Sequence, residues 1–355
     1  MRIFYPGKEG GINLKVVLGL SGGIDSTMSA YFLREQGHEV LPVTLVFSEE
    51  NKDKTVRKAH ETAEALGLRE PAILDLRTRF KKTIIDTFVS FYERGMTPNP
   101  CVFCNEKTKF SGLFEMACKL GCDAVATGHY ARIGRKGSRL CLLRGIDPKK
   151  DQSYMLYRLK PELYGEVLFP LGRWTKAEIK EMGKKLYPGL FESESESNDL
   201  CFLKKGELPF FLKKNVKSRA GEIRSVNGKV LGTHDGLSGY TIGQRQGLGL
   251  AGGPWFVVSK DLQSNTLVVG RRADLSVNVI ECSDVILHEA LFVGQIVSMR
   301  HRYRSSFLNA RILQITRDGI RLQCLETAYG VAPGQSSVLY SGERTLGGGI
   351  IEKTC

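Results

Sequence analysis

Two short segments contain the residues whose types and spacing could do chemistry. The first, Ser21-Gly22-Gly23-Ile24-Asp25-Ser26, joins an apolar run at residues 15–20 to a segment with helical spacing. Its glycines let the backbone approach a polyphosphate, and the helix start supplies amide donors and a partial positive charge. It has neither the lysine of a Walker A loop nor G-x-G-x-x-G spacing. The segment predicts an ATP site in which Ser21 and Ser26 donate hydrogen bonds and Asp25 positions Mg²⁺ or orders the loop.

The second segment, Thr97-Pro98-Asn99-Pro100-Cys101-Val102-Phe103-Cys104-Asn105, holds two thiols in a C-x-x-C arrangement. A helix start next to them lowers a thiol pKa and favours the nucleophilic thiolate. C-x-x-C also occurs in redox, zinc and iron–sulfur sites, and the chain has no second C-x-x-C to complete a four-cysteine zinc site. Cys201 is the third candidate thiol. It follows the acidic, serine-rich residues 192–199, whose composition favours a surface loop.

The other cysteines and the absence of export signals point to an intracellular protein. Nine cysteines in 355 residues do not suggest a disulfide scaffold. No signal peptide opens the chain, and no run approaches the roughly 18 apolar residues of a membrane span. We therefore expect a cytoplasmic protein without membrane contact. Cysteines interpreted as small buried hydrophobes are Cys118, Cys122, Cys141, Cys282 and Cys324, and Cys355 is interpreted as incidental.

The order of apolar runs predicts the fold that positions these segments. Strands at residues 15–20, 40–47, 72–76 and 123–127 alternate with helices in the first half of the chain. This order favours an α/β fold with a doubly wound parallel sheet, where ligands bind beyond the carboxyl ends of the strands. The loops after Leu20, Leu45 and Thr127 therefore face the predicted site. From about Gly221, short β-rich runs separated by glycine turns predict a small β-rich central domain and a C-terminal β-barrel. The predicted domains are 1–205, 206–275 and 276–355.

The charge balance favours a polyanionic partner without proving one. Lys and Arg number 51 against 38 Asp and Glu, a formal net charge of +13. Basic side chains release condensed counterions when they bind phosphates, so nucleic acid is a candidate partner. The run Arg300-His301-Arg302-Tyr303-Arg304 interleaves cations with an aromatic ring, as RNA-binding surfaces do. Its alternative interpretation is a solvated edge strand.

Taken together, these segments resemble the tRNA-specific 2-thiouridylase family, whose members thiolate the wobble uridine of tRNA at C2. The resemblance runs from about Lys15 to the C-terminus. Besides the two segments above, it covers residues 126–130, Lys150-Asp151-Gln152-Ser153-Tyr154, residues 196–202, residues 236–249 and Pro333-Gly334-Gln335. It implies an ATP-binding α/β catalytic domain at 1–205, followed by the central domain and the barrel.

The resemblance also implies a role for individual residues. Cys104 aligns with the nucleophilic cysteine of the family and Cys201 with the cysteine that carries a persulfide. ATP contacts are implied for Gly19, Leu20, Ser21, Gly22, Gly23, Ile24, Asp25, Ser26, Leu45 and Gly128. Contacts with the target base are implied for Asn99, Pro100 and Cys101, and contacts with tRNA for His129, Lys150, Asp151, Gln152, Arg302, Tyr303 and Gln335.

The implied reaction has two steps and needs ATP, Mg²⁺ and a sulfur source. The uracil C2 oxygen attacks the α-phosphate, and sulfur then displaces AMP from the activated carbon. Sulfur comes from a Cys201 persulfide, released when Cys104 forms a disulfide with Cys201 and reset by a reductant.

Two departures from the family pattern leave alternatives open for the sulfur. Cys101 stands where other members carry Asp, so Cys101, Cys104 and Cys201 could instead hold a 4Fe–4S cluster that binds the sulfur. Residues 48–55 lack the tryptophan- and acid-containing stretch common in the family, so the donor is either a protein or free sulfide. Two further readings are another adenylating ligase with the same loop and an RNA-binding protein that has lost catalysis.

Overall fold

The structure is a computed structural model that describes residues 13–191 and 200–355. Within these ranges the chain forms two compact units. The first comprises residues 13–84, 101–191 and 343–345, and the second comprises residues 85–100, 200–342 and 346–355. The surface loop expected at 192–199 lies outside the described residues. The three predicted domains, with boundaries at 205 and 275, stay a prediction.

A parallel sheet organises the first unit. The strands of this unit are β1 (Lys15–Gly19), β2 (Glu39–Val46), β3 (Ala72–Asp75), β4 (Ala124–Ala126), β5 (Ala131–Lys136), β6 (Arg139–Arg144) and β7 (Val167–Leu168). Five of them pair in parallel in the order β3-β2-β1-β4-β7. The remaining two, β5 and β6, form an antiparallel hairpin. Val16, Val17 and Leu18 of the central strand β1 are fully buried, which explains its unbroken apolar run.

Helices connect the parallel strands, as the predicted α/β class requires. The α-helices of the described residues, of which α8 and α9 follow the last parallel strand, are α1 (Ile24–Glu35), α2 (Lys52–Ala65), α3 (Arg77–Phe80), α4 (Asp86–Glu93), α5 (Pro100–Cys104), α6 (Ser111–Leu120), α7 (Ser153–Leu156), α8 (Lys176–Leu186) and α9 (Leu208–Asn215). Turns of π-helix at Lys81–Ile85 and Asn105–Phe110 continue α3 and α5. Gly121, in the left-handed region at φ +61°, ends α6. The α/β prediction for the first half of the chain is confirmed.

The second unit contains two β structures. The smaller is a four-stranded sheet in the order β10-β11-β8-β9, built on the buried side chains of Ile223, Val257 and Leu267. Its strands are β8 (Gly221–Ser225), β9 (Val230–His234), β10 (Phe256–Asp261) and β11 (Thr266–Gly270).

The larger β structure of the second unit is a closed barrel. Its strands are β12 (Ser276–Leu287), β13 (Ile296–Arg300), β14 (Leu308–Ile315), β15 (Gly319–Tyr329), β16 (Ser336–Ser341) and β17 (Arg344–Thr354). They pair in the order β12-β15-β14-β13-β16-β17, and pairing of β12 with β17 closes the circle. Alternate residues such as Met299, Ile312 and Leu322 fill the interior. The predicted C-terminal β-barrel is confirmed.

No helix within residues 13–191 and 200–355 is both long enough and apolar enough to span a membrane.

Candidate nucleotide and sulfur-transfer site

The predicted nucleotide loop lies at the carboxyl end of β1, the central strand of the parallel sheet. Gly23 precedes α1 and has no side chain that could cap the helix start. Gly22 has φ +76°, and a Cβ there would lie 2.7 Å from the Lys58 Cβ. Glycine is therefore needed at position 22 both for its backbone conformation and for the space. The loop and helix start form the anion-binding geometry that the sequence predicts.

The two loop serines have different roles. The Ser26 hydroxyl donates to the Gly23 carbonyl at 2.9 Å and accepts from the Ser21 amide at 3.2 Å. Ser26 therefore closes the loop on itself, whereas Ser21 is exposed at its rim. Among the other residues predicted to contact ATP, Gly19 and Leu20 end the central strand, Ile24 opens α1, and Leu45 lies near the end of β2. Their contacts with ATP stay predictions.

Asp25, in the first turn of α1, is held by two donors on one oxygen. The Lys176 ammonium lies 2.6 Å from Asp25 Oδ1, and the Tyr130 hydroxyl donates to the same atom at 2.7 Å. Burial, and then the charge of Asp25, raise the pKa of Tyr130, so its hydroxyl remains protonated and able to donate. A carboxylate engaged in this way orders the loop, one of the two roles predicted for Asp25. Both donors contact Oδ1, and the other predicted role of Asp25, positioning Mg²⁺, stays a prediction.

Gly128 and His129 follow β4, the strand next to β1. A Cβ on Gly128 would lie 3.0 Å from the Asp25 carbonyl carbon, so a larger residue would push against the nucleotide loop. The His129 imidazole is 7% exposed, and its Nδ1 pairs with the Thr127 hydroxyl at 2.7 Å. Burial, helped by the charge of Lys109, holds the pKa of His129 well below its ordinary value. His129 is therefore a neutral core side chain, and its contact with tRNA stays a prediction.

The segment Asp147 to Gln152, named the 147–152 turn below, carries three of the predicted tRNA contacts. Asp151 is 2% exposed and accepts hydrogen bonds from Gly145, Ser153 and the Arg144 guanidinium. The side-chain oxygen of Gln152 accepts from the Tyr130 amide at 2.9 Å. These two side chains therefore shape the turn. Lys150, half-buried, is the cation among the three.

The 147–152 turn is also joined to the nucleotide loop. The Asp147 carboxylate accepts from the backbone amide of Lys176 at 3.0 Å, while the Lys176 ammonium reaches Asp25. On a second route, Gln152 holds the Tyr130 backbone and the Tyr130 hydroxyl reaches Asp25. Both routes end on the same carboxylate oxygen.

Cys101 and Cys104 lie within the first five residues of a helix, whereas the sequence predicted a helix start next to them. Pro100 begins α5, and residues three apart share a helix face. Cys101 is half-buried and Cys104 is 8% exposed. The next residues anchor this helix start, because Asn105 donates to the Met155 carbonyl at 3.0 Å and Glu106 pairs with the buried Arg158 at 2.6 Å.

Cys201 belongs to the second unit, whereas Cys101 and Cys104 belong to the first. The Cys201 side chain is exposed, but its neighbour Phe202 is anchored. The Phe202 ring meets Phe88 and Phe211 edge to face, with centroids 5.5 Å and 6.0 Å away. Phe88 lies on α4 and Phe211 on α9, so two helices hold the turn that presents Cys201.

The segment that precedes Cys101 is attached to a barrel loop within the second unit. The Thr97 amide donates to the Pro333 carbonyl, and the Gln335 side chain donates to the Thr97 carbonyl, both at 2.8 Å. Asn99 is half-buried and Pro100 is buried. Gln335 was predicted to contact tRNA, which stays a prediction; here its amide holds the backbone that leads to Asn99 and Pro100.

The basic run at residues 300–304 is not a simple solvated edge. Arg302 donates to the Ile242 carbonyl at 2.7 Å and to the Gly330 carbonyl at 2.6 Å. The Arg300 guanidinium lies 4.2 Å from the centre of the Phe307 ring. His301 is 7% exposed, and burial lowers its pKa to about 4. Arg302 therefore connects the barrel to Ile242, which packs against the smaller sheet. Contacts of Arg302 and the half-buried Tyr303 with tRNA stay predictions.

The alternative prediction for the sulfur is a 4Fe–4S cluster held by the thiolates of Cys101, Cys104 and Cys201. Three thiolates are the chemistry that a 4Fe–4S cluster requires. Within residues 13–191 and 200–355, however, no three His, Cys, Asp or Glu side chains are grouped so as to hold a metal ion. A cluster held by Cys101, Cys104 and Cys201 stays a prediction.

Sequence reasoning missed Lys176 and Asp147. A local signal for α8 was present, since Thr175 and Glu178 have the spacing of a capping box and form one in the structure. No local signal indicates the pairing of Lys176 with Asp25, which are 151 positions apart.

Family models and one solved structure match parts of this chain. Family models described as a tRNA methyl transferase HUP domain, a tRNA methyl transferase PRC-barrel domain and an aminomethyltransferase beta-barrel domain match residues 14–205, 210–271 and 293–351. Among solved structures, the U34-tRNA thiolase NcsA of Methanococcus maripaludis with its [4Fe-4S] cluster is 21% identical. That match covers 57% of this chain and 64% of the other, at a TM-score of 0.36.

Curated relatives match over almost the whole chain. The tRNA-specific 2-thiouridylase MnmA of Helicobacter hepaticus is 39% identical, covering 95% of this chain and 99% of the relative. The tRNA-specific 2-thiouridylase MnmA 3 of Bacteroides fragilis strain ATCC 25285 is 38% identical, covering 95% of this chain and 94% of the relative. Similarity of this extent shows that the chain belongs to the tRNA-specific 2-thiouridylase family.

Proposed function

We propose that this protein uses ATP to thiolate C2 of the wobble uridine in Lys, Glu and Gln tRNAs, giving 2-thiouridine, AMP and pyrophosphate. One observation carries the proposal: the glycine loop at the carboxyl end of β1 and the C-x-x-C helix start both occur in one chain that is 39% identical to a tRNA-specific 2-thiouridylase. The loop supports phosphate binding, and the two thiols support sulfur chemistry.

In the first step the uracil C2 oxygen attacks the α-phosphate of ATP, which enters as its Mg²⁺ complex. Pyrophosphate leaves, and its developing charge is stabilised by the first-turn amides of α1 and the backbone at Gly22 and Gly23. Asn99 and Pro100 lie against the base. Their position is maintained because the backbone that leads to them is bonded at Thr97 to Pro333 and Gln335.

In the second step sulfur replaces the C2 oxygen. The terminal sulfur of a Cys201 persulfide attacks C2, and AMP leaves with the former carbonyl oxygen. The Cys104 thiolate then attacks the Cys201 sulfur, which breaks the sulfur–sulfur bond to the product and forms a Cys104–Cys201 disulfide. An external dithiol reduces that disulfide and restores both thiols. The exposed position of Cys201 supports loading by transfer of sulfane sulfur from the persulfide of a donor, whose own thiol is released.

The experiment is thiolation of a Lys tRNA transcript by purified protein with ATP, Mg²⁺ and a persulfide source. We expect 2-thiouridine in the digested nucleosides, and loss of at least a hundredfold in rate for Cys104→Ala and Cys201→Ala. No product with wild-type protein contradicts the proposal, and full activity of either variant contradicts the persulfide step. Iron and sulfide analysis of anaerobically purified protein separates this route from a cluster, because about four irons per chain are required for a 4Fe–4S cluster.

A further inference from the structure

The nucleotide loop contains no cation of its own. Residues 19–26 carry a single charged side chain, Asp25, and its charge is negative. The triphosphate of ATP is a polyanion, and the backbone amides and helix start offset only part of its charge. Loops of the Walker A type include a lysine for this purpose, which this loop lacks. A cation from another element of the first unit is therefore needed.

We propose that Lys176 is this cation, and that Asp25 holds it beside the loop until a polyphosphate binds. The Lys176 ammonium lies 2.6 Å from Asp25 Oδ1, in the first turn of α1, where a bound phosphate meets the helix amides. Its side chain is 18% exposed, so the charge is partly shielded from water without being buried. The inference rests on the proposed use of ATP and adds a phosphate-binding residue to it.

The structure fixes where the Lys176 side chain starts. Lys176 is the first residue of α8, and its backbone amide donates to Asp147 Oδ2 at 3.0 Å. The capping box of Thr175 and Glu178 fixes the same helix start. One helical turn from the end of α8, a Cβ on Gly183 would lie 2.8 Å from Ile24 Cδ1, so α8 packs directly on the start of α1. These contacts fix the start of α8 next to the loop, and this places the Lys176 ammonium beside Asp25.

If the Lys176 ammonium leaves Asp25 for a phosphate, Asp25 still has a hydrogen-bond donor. When phosphate oxygens compete for the ammonium, the carboxylate keeps the hydrogen bond from the Tyr130 hydroxyl at 2.7 Å. The exchange makes or breaks no covalent bond and moves no proton. Because the amide of Lys176 is held by Asp147, the 147–152 turn and the phosphate-binding cation share one anchor.

Lys58 is the competing candidate, since its Cβ would lie 2.7 Å from a Cβ on Gly22. The atoms of Lys58 that lie near Gly22 are its Cβ and backbone carbonyl group. For Lys176, in contrast, the ammonium group itself contacts the loop, at Asp25. The two lysines are therefore compared directly in the test.

The test measures the affinities of ATP, ADP, AMP and adenosine for the full-length wild type, Lys176→Ala, Lys176→Arg, Lys58→Ala and Lys180→Ala. Lys180 is an exposed lysine one turn further along α8 and serves as the matched control. We expect Lys176→Ala to weaken ATP binding by about tenfold to a hundredfold, as for a lost charge-assisted hydrogen bond. ADP should lose less and adenosine less than twofold. Lys176→Arg should restore part of the ATP affinity, and Lys180→Ala should change nothing beyond twofold.

Three outcomes overturn the inference. The first is an equal loss of affinity for ATP and adenosine in Lys176→Ala, which would indicate a structural role. The second is unchanged ATP binding by Lys176→Ala. The third is a loss specific to ATP that occurs in Lys58→Ala and not in Lys176→Ala. Urea denaturation of each variant with and without ATP identifies unfolding, and Lys176→Met provides a second neutral variant. Thiolation by the wild type is assayed separately: binding of ATP without thiolation contradicts the proposed reaction but not the role of Lys176.

Discussion

The side-chain amide of Gln335 donates a 2.8 Å hydrogen bond to the backbone carbonyl of Thr97, a residue 238 positions earlier in the chain. The adjacent Pro333 carbonyl accepts from the Thr97 amide, so both polar groups of one peptide residue are held by a single barrel loop. Two and three residues beyond Thr97 come Asn99 and Pro100, which are proposed to contact the target base. The barrel therefore has a positioning role within the second unit in addition to any contact with RNA.

Gly334, between these two partners, provides the first prediction. Its φ is +91°, and a Cβ would lie 2.8 Å from the Thr97 amide nitrogen. Gly334→Ala should displace the Thr97 segment, destabilise the protein by roughly 2 kcal/mol through crowding, and slow thiolation at saturating ATP. The control is Gly342→Ala, which also has positive φ but no atom within 4 Å of its Cβ. Urea denaturation measures stability, and a single-turnover assay measures thiolation. If Gly334→Ala and Gly342→Ala lose equal amounts of both, the contact with Thr97 is unimportant.

Asp151 and Lys150 provide the second prediction, because neighbouring residues in the proposed tRNA-binding turn differ in burial. Asp151→Ala leaves the Arg144 guanidinium and two backbone amides without their acceptor, so we expect a loss of about 3 kcal/mol in unfolding free energy. Lys150→Ala should leave stability within about 0.5 kcal/mol and weaken tRNA binding, with a shallower dependence on salt. Denaturation and filter binding at several salt concentrations measure both. A loss of stability in Lys150→Ala, together with unchanged stability in Asp151→Ala, would contradict the structural role of Asp151 and the tRNA contact of Lys150.

His301 provides the third prediction, which concerns pH. Burial lowers its pKa to about 4 in the folded protein, against an ordinary value of 6.5, so the unfolded chain binds the proton more readily. The contribution to stability is therefore present near pH 7 and is lost as pH falls from about 6.5 towards 4. Between pH 7 and pH 5 the loss should be about 2 kcal/mol. His301→Gln should reduce this slope in urea denaturation without removing it, since the buried His129 contributes in the same direction. His60→Gln, at a side chain that is 38% exposed, should keep the slope. An unchanged slope in His301→Gln would exclude His301 as its source.

Much of the first unit could be predicted from local pattern. The buried run at residues 15–20 and the glycine loop after it require neighbouring strands and a helix start, and the structure contains both. The barrel could be anticipated because its strands alternate between apolar and polar residues. Conversely, β12 and β17, which pair to close it, show no such clear run at the sequence level, since part of β17 is the glycine-rich stretch Gly347-Gly348-Gly349.

The remaining features depend on tertiary contacts that no local pattern encodes. The basic run at residues 300–304 has the composition of an RNA-binding edge, yet Arg302 bonds to the carbonyls of Ile242 and Gly330. Lys176 lies on a helix with many lysines, and only the packing of α8 on α1 distinguishes it from Lys180. Charge in a sequence indicates a class of partner, whereas burial decides which cations are available to it.

If ATP activates the uracil C2 oxygen as an adenylate, that oxygen leaves with AMP, and its transfer can be followed with an isotope. A tRNA whose wobble uridine carries ¹⁸O at C2 is thiolated by the wild-type protein in unlabelled water, and the AMP is examined by mass spectrometry. We expect one ¹⁸O in AMP for each 2-thiouridine formed. AMP without the label, or 2-thiouridine formed without AMP, would exclude the adenylate.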